Sequence, residues 1–137
     1  MRFMMLVKSS KDAEAGVLPD EKTLAEMGKY NDQLVKAGAL LAGEGLQASS
    51  KGARVTFSGG KPTVTDGPFT ESKELIAGYW LIQVRSKEEA IEWAKRVPFQ
   101  EGEIELRQVF ELEDFPGQDE EWRRHEREFR EGAQPQP

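Results

Sequence analysis

Five consecutive apolar residues near the start, Phe3-Met4-Met5-Leu6-Val7, constrain the fold more than any other feature of the chain. Successive side chains of a strand point to opposite faces, so Phe3, Met5 and Val7 share one face and Met4 and Leu6 the other. A strand with one wet face alternates apolar and polar residues; a strand without that alternation needs cover on both sides. The run from Ile76 to Val84 repeats the demand, with Trp80, Ile82 and Val84 on one face and Tyr79, Leu81 and Gln83 on the other. A single layer of helices meets only half of it.

The helices are legible between these strands. Lys8 to Leu18 reads as a loop, and Pro19 opens a helix with Asp20 and Glu21 in its first turn, where the positive end of the dipole favours carboxylates. Leu24, Met27, Leu34 and Val35 give it an apolar side with Asn31 among them, and Gly38 suits the residue that stops it. Ala39 to Ala42 restarts as a strand. Ala53 to Ser58, Gly59-Gly60 and Lys61 to Thr65 read as a hairpin. Ser86 and Glu89 form a capping box for a second helix with an apolar stripe at Ala90, Ile91, Ala94 and Val97, ended by Pro98. A last strand, Glu103 to Leu112, places Ile104, Leu106 and Phe110 on one face and Glu105, Arg107, Val109 and Glu111 on the other.

The order is strand, helix, strand, hairpin insertion, strand, helix, strand. Without the insertion this is an α+β, ferredoxin-like split βαβ arrangement, with two helices on one face of a four-stranded antiparallel sheet. The other face then exposes Met4, Leu6, Tyr79 and Leu81, or their opposite-face neighbours, as an apolar patch too large for a monomer. A second copy packed sheet to sheet would bury it. A homodimer is therefore expected.

At 137 residues the chain is one domain, expected over 1–115, with a polar tail over 116–137 that ends in GAQPQP and is expected to fray. Within the tail, Glu120 precedes Arg124 and Glu126 precedes Arg130 at helical spacing, and Trp122, His125 and Phe129 form a stripe, so a short docked helix is expected. A net charge of −6 argues against direct binding of nucleic acid or an anionic membrane. Cysteine is absent, which excludes disulfides, thiolate nucleophiles and sulfur-ligated metals. Lys8 interrupts the opening apolar run well short of a signal core or a membrane span, so a cytoplasmic protein is expected.

Five stretches carry a resemblance: RFMMLVK at the start, AGALLAGEGL at 37–46, VTDGPFTESKELIAGYWLIQV at 64–84, EAIEWAKRVP at 89–98 and IELRQV at 104–109. In this order, across residues 1–112, the chain resembles the DGPF branch of the YCII-related family. The resemblance implies a dimeric α/β barrel, in which two ferredoxin-like sheets enclose a shared interior. It implies no established reaction, although members often lie beside extracytoplasmic-function sigma factors. Related members have a His–Asp pair proposed as an active site. The resemblance puts its aspartate at Asp66, but the histidine does not carry over, because the only histidine is His125 in the tail.

The candidate site residues are Asp66 as acid or base, and Glu44, Glu71 and Arg107 as ligand contacts. In DGPFTESKE the Gly67-Pro68 pair stiffens a turn. Either the turn only aims the next strand, with Asp66 accepting bonds from the backbone N–H groups that follow it, or it presents Asp66 and Glu71 to a cleft at the barrel end. Glu44 lies between two glycines; GEGLQA fits a dinucleotide fingerprint only formally, since no helix follows. Arg107 either pairs across strands or offers a carboxylate or phosphate fork. Trp80, Tyr79 and Trp93 read as core or interface residues. No metal or cofactor is implied. Two function classes follow: a small-molecule binder or enzyme using the barrel cleft, or a non-catalytic accessory protein acting through protein contacts, linked to a sigma factor.

Overall fold

The computed structural model describes residues 1–133; residues 134–137, the end of the tail expected to fray, lie outside the described residues. Among the described residues six strands form two sheets: β1 (Arg2–Lys8), β2 (Leu40–Gly45), β5 (Ile76–Gln83) and β6 (Ile104–Gln108) in one, β3 (Ala53–Ser58) and β4 (Lys61–Asp66) in the other. The larger sheet has the order β2-β5-β1-β6 with every pair antiparallel. Among the described residues there are four α-helices: α1 (Lys11–Glu14), α2 (Glu21–Lys36), α3 (Lys87–Lys95) and α4 (Glu120–Gly132). The architecture is α+β and compatible with a ferredoxin-like fold.

The alternation in β1 and β5 decides which residues enter the core. Phe3, Met5, Trp80, Ile82 and Val84 are all buried with Tyr30 and Leu34 of α2 and Ala90 and Trp93 of α3. Met4, Leu6, Tyr79 and Leu81 point the other way and are only half-buried. The helices thus cover one face of the sheet. Asp20 is the N-cap of α2, accepting from Thr23 N–H at 2.8 Å, so the helix begins at Glu21, two positions later than a start at Pro19. Gly38 follows the helix with φ 69°, as expected for a left-handed stop. At α3, Ser86 Oγ accepts from Glu89 N–H, while the Glu89 carboxylate reaches back to Arg85 N–H rather than that of the cap itself.

Tyr30 was not among the expected core residues, yet it organises the helix–sheet contact. Its phenol donates to Trp93 O at 2.7 Å, and its ring meets Trp80 edge-on at 5.5 Å and Trp93 at 6.2 Å. Burial pushes the phenol up to about 12, opposed by Arg96, so it stays a donor throughout the neutral range. Asn31, beside it, accepts from Trp80 Nε1 at 2.8 Å. Leu24 and Val35, expected in the core stripe, are instead exposed. The buried stripe follows Met27, Tyr30 and Leu34; Val35 is one residue, about 100° of helix rotation, off that line.

The expected last strand is shortened. β6 ends at Gln108, and Phe110 is 66% exposed rather than in the core. Beyond the sheet it stacks on Phe115 at 5.0 Å, which in turn meets Trp122 of α4 at 5.6 Å. The tail helix is also held by charge: Glu111 accepts a two-pronged fork from Arg2 at 2.7 and 3.1 Å and lies 3.7 Å from Arg130. Glu126 pairs with Arg130 at 4.0 Å, and Phe129 faces solvent. Among the described residues, no helix is long and apolar enough to cross a membrane.

Candidate functional site

The hairpin forms as its turn chemistry demands. Gly59 and Gly60 have φ 57° and 80°, the left-handed pair that a tight two-residue turn requires. The ladder runs from Ser58 opposite Lys61 back to Ala53 opposite Asp66. Gly67 N–H extends it by donating to Gly52 O at 3.0 Å. At that point the chain passes so close to its neighbour that a Cβ on Gly67 would lie 1.8 Å from Ser49 O. Only glycine fits. The Gly67–Pro68 peptide is cis.

Ser49 then holds the turn. Its hydroxyl accepts from Phe69 N–H at 2.9 Å and donates to the Glu14 carboxylate, whose other oxygen accepts Ser49 N–H at 2.8 Å. On the other side the Arg54 guanidinium lies over the Phe69 ring, 3.8 Å from its centroid. Glu14, Ser49 and Arg54 were not among the expected site residues. Glu14 lies in α1, where a loop was expected, and no spacing rule links residues 14, 49 and 69. Beyond the Gly67-Pro68 pair, these bonds tie the turn to Ser49 and, through it, to Glu14 of α1.

The Ser49 hydroxyl and N–H hold the Glu14 carboxyl below its usual value of 4.5. A depressed carboxylate contributes stability above the unfolded value and loses it as pH falls through the folded one. The clamp should therefore be intact at neutral pH and open only on acidification below the usual glutamate range. The amide proton shift of Phe69 should titrate there, and Glu14→Ala should abolish that titration. A shift that titrates identically in the variant would mean another group is responsible.

Asp66 lies at the end of β4, exposed, and among the described residues its carboxylate accepts no hydrogen bond. The expectation that it caps the following N–H groups is thus not met: Ser49 takes Phe69 N–H instead. Glu71 is also exposed and precedes a short 3-10 turn, Ser72–Glu74.

Glu44 lies on the uncovered face of the sheet, in a row that reads Glu44, Tyr79, Leu6, Glu105 across the four strands. The next row reads Ala42, Leu81, Met4, Arg107. This face has an apolar centre with charge at both edges. Glu105 pairs with Arg107 at 3.3 Å and Lys8 at 3.5 Å, and the Arg107 hydrogen bond, helped by Lys8, lowers its pKa. Arg107 makes its pair along its own strand rather than across strands, and its side chain is 72% exposed. Glu44 and the segment leaving the turn lie at the same end of the sheet, since Glu44 pairs with Tyr79 and Leu46 N–H donates to Ala77 O near the start of β5. Arg107 lies on the opposite edge strand, three strand spacings or about 14 Å from Glu44. Within one protomer the four candidates do not converge. Among the described residues, no group of three His, Asp or Glu side chains could hold a metal ion.

A four-stranded antiparallel sheet with two helices on one face makes this an α+β domain compatible with a ferredoxin-like fold. The YCII-related domain model matches residues 1–113, and the chain belongs to that family. An uncharacterised protein of Rhizobium meliloti (strain 1021) is 33% identical over 76 residues, covering 56% of this chain and 61% of that protein. The chain therefore spans less than two thirds of that relative's length. His125 lies beyond the matched region, exposed on α4.

Proposed function

We propose that this protein is a small-molecule binder of the DGPF branch, whose site is completed when two copies close around the uncovered sheet face as a dimeric barrel. The observation that carries this reading is the exposed Asp66 carboxylate, which accepts no hydrogen bond among the described residues, on a turn tied down by Ser49 and Glu14. A turn so held positions whatever it presents. The half-buried Met4, Leu6, Tyr79 and Leu81 supply the apolar wall that a ligand pocket needs, and Glu44 supplies charge at the same end. Arg107, remote from Glu44 in one copy, joins the site from the second copy.

The test begins with light scattering, which should give about twice 15.4 kDa at micromolar concentration. A thermal-shift screen of small acids, phosphates and metabolite pools then supplies a ligand. Asp66→Asn keeps shape but cannot carry or exchange a proton at neutral pH. It should remove the ligand-dependent shift while leaving the unliganded melting temperature unchanged, and Arg107→Ala should weaken the same shift. Unaltered binding of every hit by Asp66→Asn would end the assignment of Asp66. A monomer without ligands would favour the accessory role through protein contacts.

A further inference from the structure

The hairpin β3–β4 presents one continuous apolar face. Opposed residues of an antiparallel pair share a face, so Val55 with Val64 and Phe57 with Pro62 line one side, with Ala53 and Asp66 opposed at its base. The reverse side carries Arg54, Thr56, Ser58, Lys61, Thr63 and Thr65. Such strict alternation belongs to a strand half covered by a core. No core is there: Val55 is 52% exposed, Val64 65% and Phe57 72%. A lone two-stranded hairpin is marginal in water, so this one needs an occupant for its apolar side.

We propose that the hairpin is an arm that lays this face on the body of a second copy of the chain. Three observations select that occupant. The arm springs from the edge of the uncovered sheet, since the chain enters it from the edge strand β2 and leaves it into the adjacent β5. The clamp at Ser49 and the Arg54–Phe69 contact fix its base, so it is aimed rather than swinging. Charge complements: residues 49–66 hold Lys51, Arg54 and Lys61 against the single acid Asp66, a net charge of +2, so the rest of the chain carries −8 toward the total of −6. A basic arm on an acidic body is satisfied twice over by a symmetric exchange between two copies. Six residues per strand give a reach of about 20 Å, enough to pass beyond the arm's own edge strand onto the body of a neighbouring copy. The inference shares with the proposed function the expectation of a second copy, but it assigns a different surface.

The test uses the full chain. Val55→Thr, Phe57→Ser and Val64→Thr together keep strand-forming residues at two positions and remove the apolar face; circular dichroism checks the fold. Sedimentation across a concentration series should show the dimer dissociation constant raised about 100-fold or more, given the transfer energy of three such side chains on each arm. Because the chain lacks cysteine, Ser58→Cys carrying a photo-crosslinker offers an independent readout at the arm tip. It should join two copies of the chain. Leu81→Arg, on the sheet face, separates the two ideas. If Leu81→Arg dissociates the dimer and the triple variant changes it by less than about threefold, the arm is refuted and the sheet interface stands. The converse result keeps the arm and refutes the sheet-face site. A parent that stays monomeric, or a crosslink found only within one chain, to another protein or to lipid, refutes the arm.

Discussion

Trp80→Ala should cost about 3–5 kcal/mol of unfolding free energy, the range for removing a large aromatic from a packed core. Trp80 is buried and touches three kinds of partner at once. Its ring packs edge-on against Tyr30 at 5.5 Å and tilted on Phe99 at 6.5 Å. Its indole N–H donates to Asn31 Oδ1 at 2.8 Å. A Cβ on Gly43 of β2 would lie 3.0 Å from its Cδ1, so the ring sits almost against the neighbouring strand's backbone. Alanine leaves a cavity between helix and sheet and an unpaired amide oxygen on Asn31. Trp80→Phe separates the two losses, since it fills most of the space and removes only the hydrogen bond; about 1–2 kcal/mol is expected. Urea denaturation at fixed protein concentration measures both. A cost for Trp80→Ala below that of Trp80→Phe would refute the packing account.

Gly67→Ala should be nearly as damaging, although it adds only one methyl group. The added Cβ would meet Ser49 O at 1.8 Å and Ser49 C at 2.6 Å, and both are backbone, so no rotamer relieves the clash. Either the Ser49 turn or the 67–69 segment must move, and with it go the bonds from Phe69 to Ser49 and from Ser49 to Glu14. Overpacking costs roughly 1–3 kcal/mol and more where backbone resists; about 3 kcal/mol is expected here. The melting temperature should fall and trypsin should cleave after Lys73 more readily. Gly28→Ala is the control, because nothing lies within 4 Å of its added Cβ inside α2. It should stabilise by about 0.5–1 kcal/mol, as alanine does in a helix interior. The same chemical change should thus have opposite signs at two sites. Equal and small effects would mean that the 67–69 segment is not held as described.

The contrast explains what the amino-acid order disclosed. Phe3, Met5, Trp80, Ile82 and Val84 could be placed in the core because period-two alternation is a local property of each strand. The Gly38 stop and the Ser86 cap were readable for the same reason, as each acts within a few residues. Phe110 misled because alternation continues past the last ladder bond, while the chain has already left the sheet for the Phe115 and Trp122 cluster. Tyr30 carries no local signal, because its partners are two tryptophans 50 and 63 residues away. The site was legible only in part. Asp66 and its stiff turn were visible, whereas Glu14 and Ser49 are joined to the turn by tertiary packing alone. The single-sequence pattern gave Arg107 a face but not its partner, and its partner is a neighbour on its own strand.

The way in which the hairpin segment is tied down has a bearing on how the molecule comes apart. Residues 46–75 leave the main sheet after the Leu46 bond to Ala77 and return where Leu75 O accepts Ser9 N–H. Between those points, side-chain tethers to the remainder run through Glu14 and Ser49, and the hairpin contributes nothing to the buried cluster under the helices. Such a segment is a cooperative unit of its own, with an opening free energy below that of global unfolding. Joining residues 14, 49 and 69 also requires closure of loops of about 35 and 20 residues, which gains few contacts until the flanking strands are in register. The clamp is therefore a late event on the folding route and an early one on the way out, and its strength sets the rate of local release rather than the lifetime of the sheet.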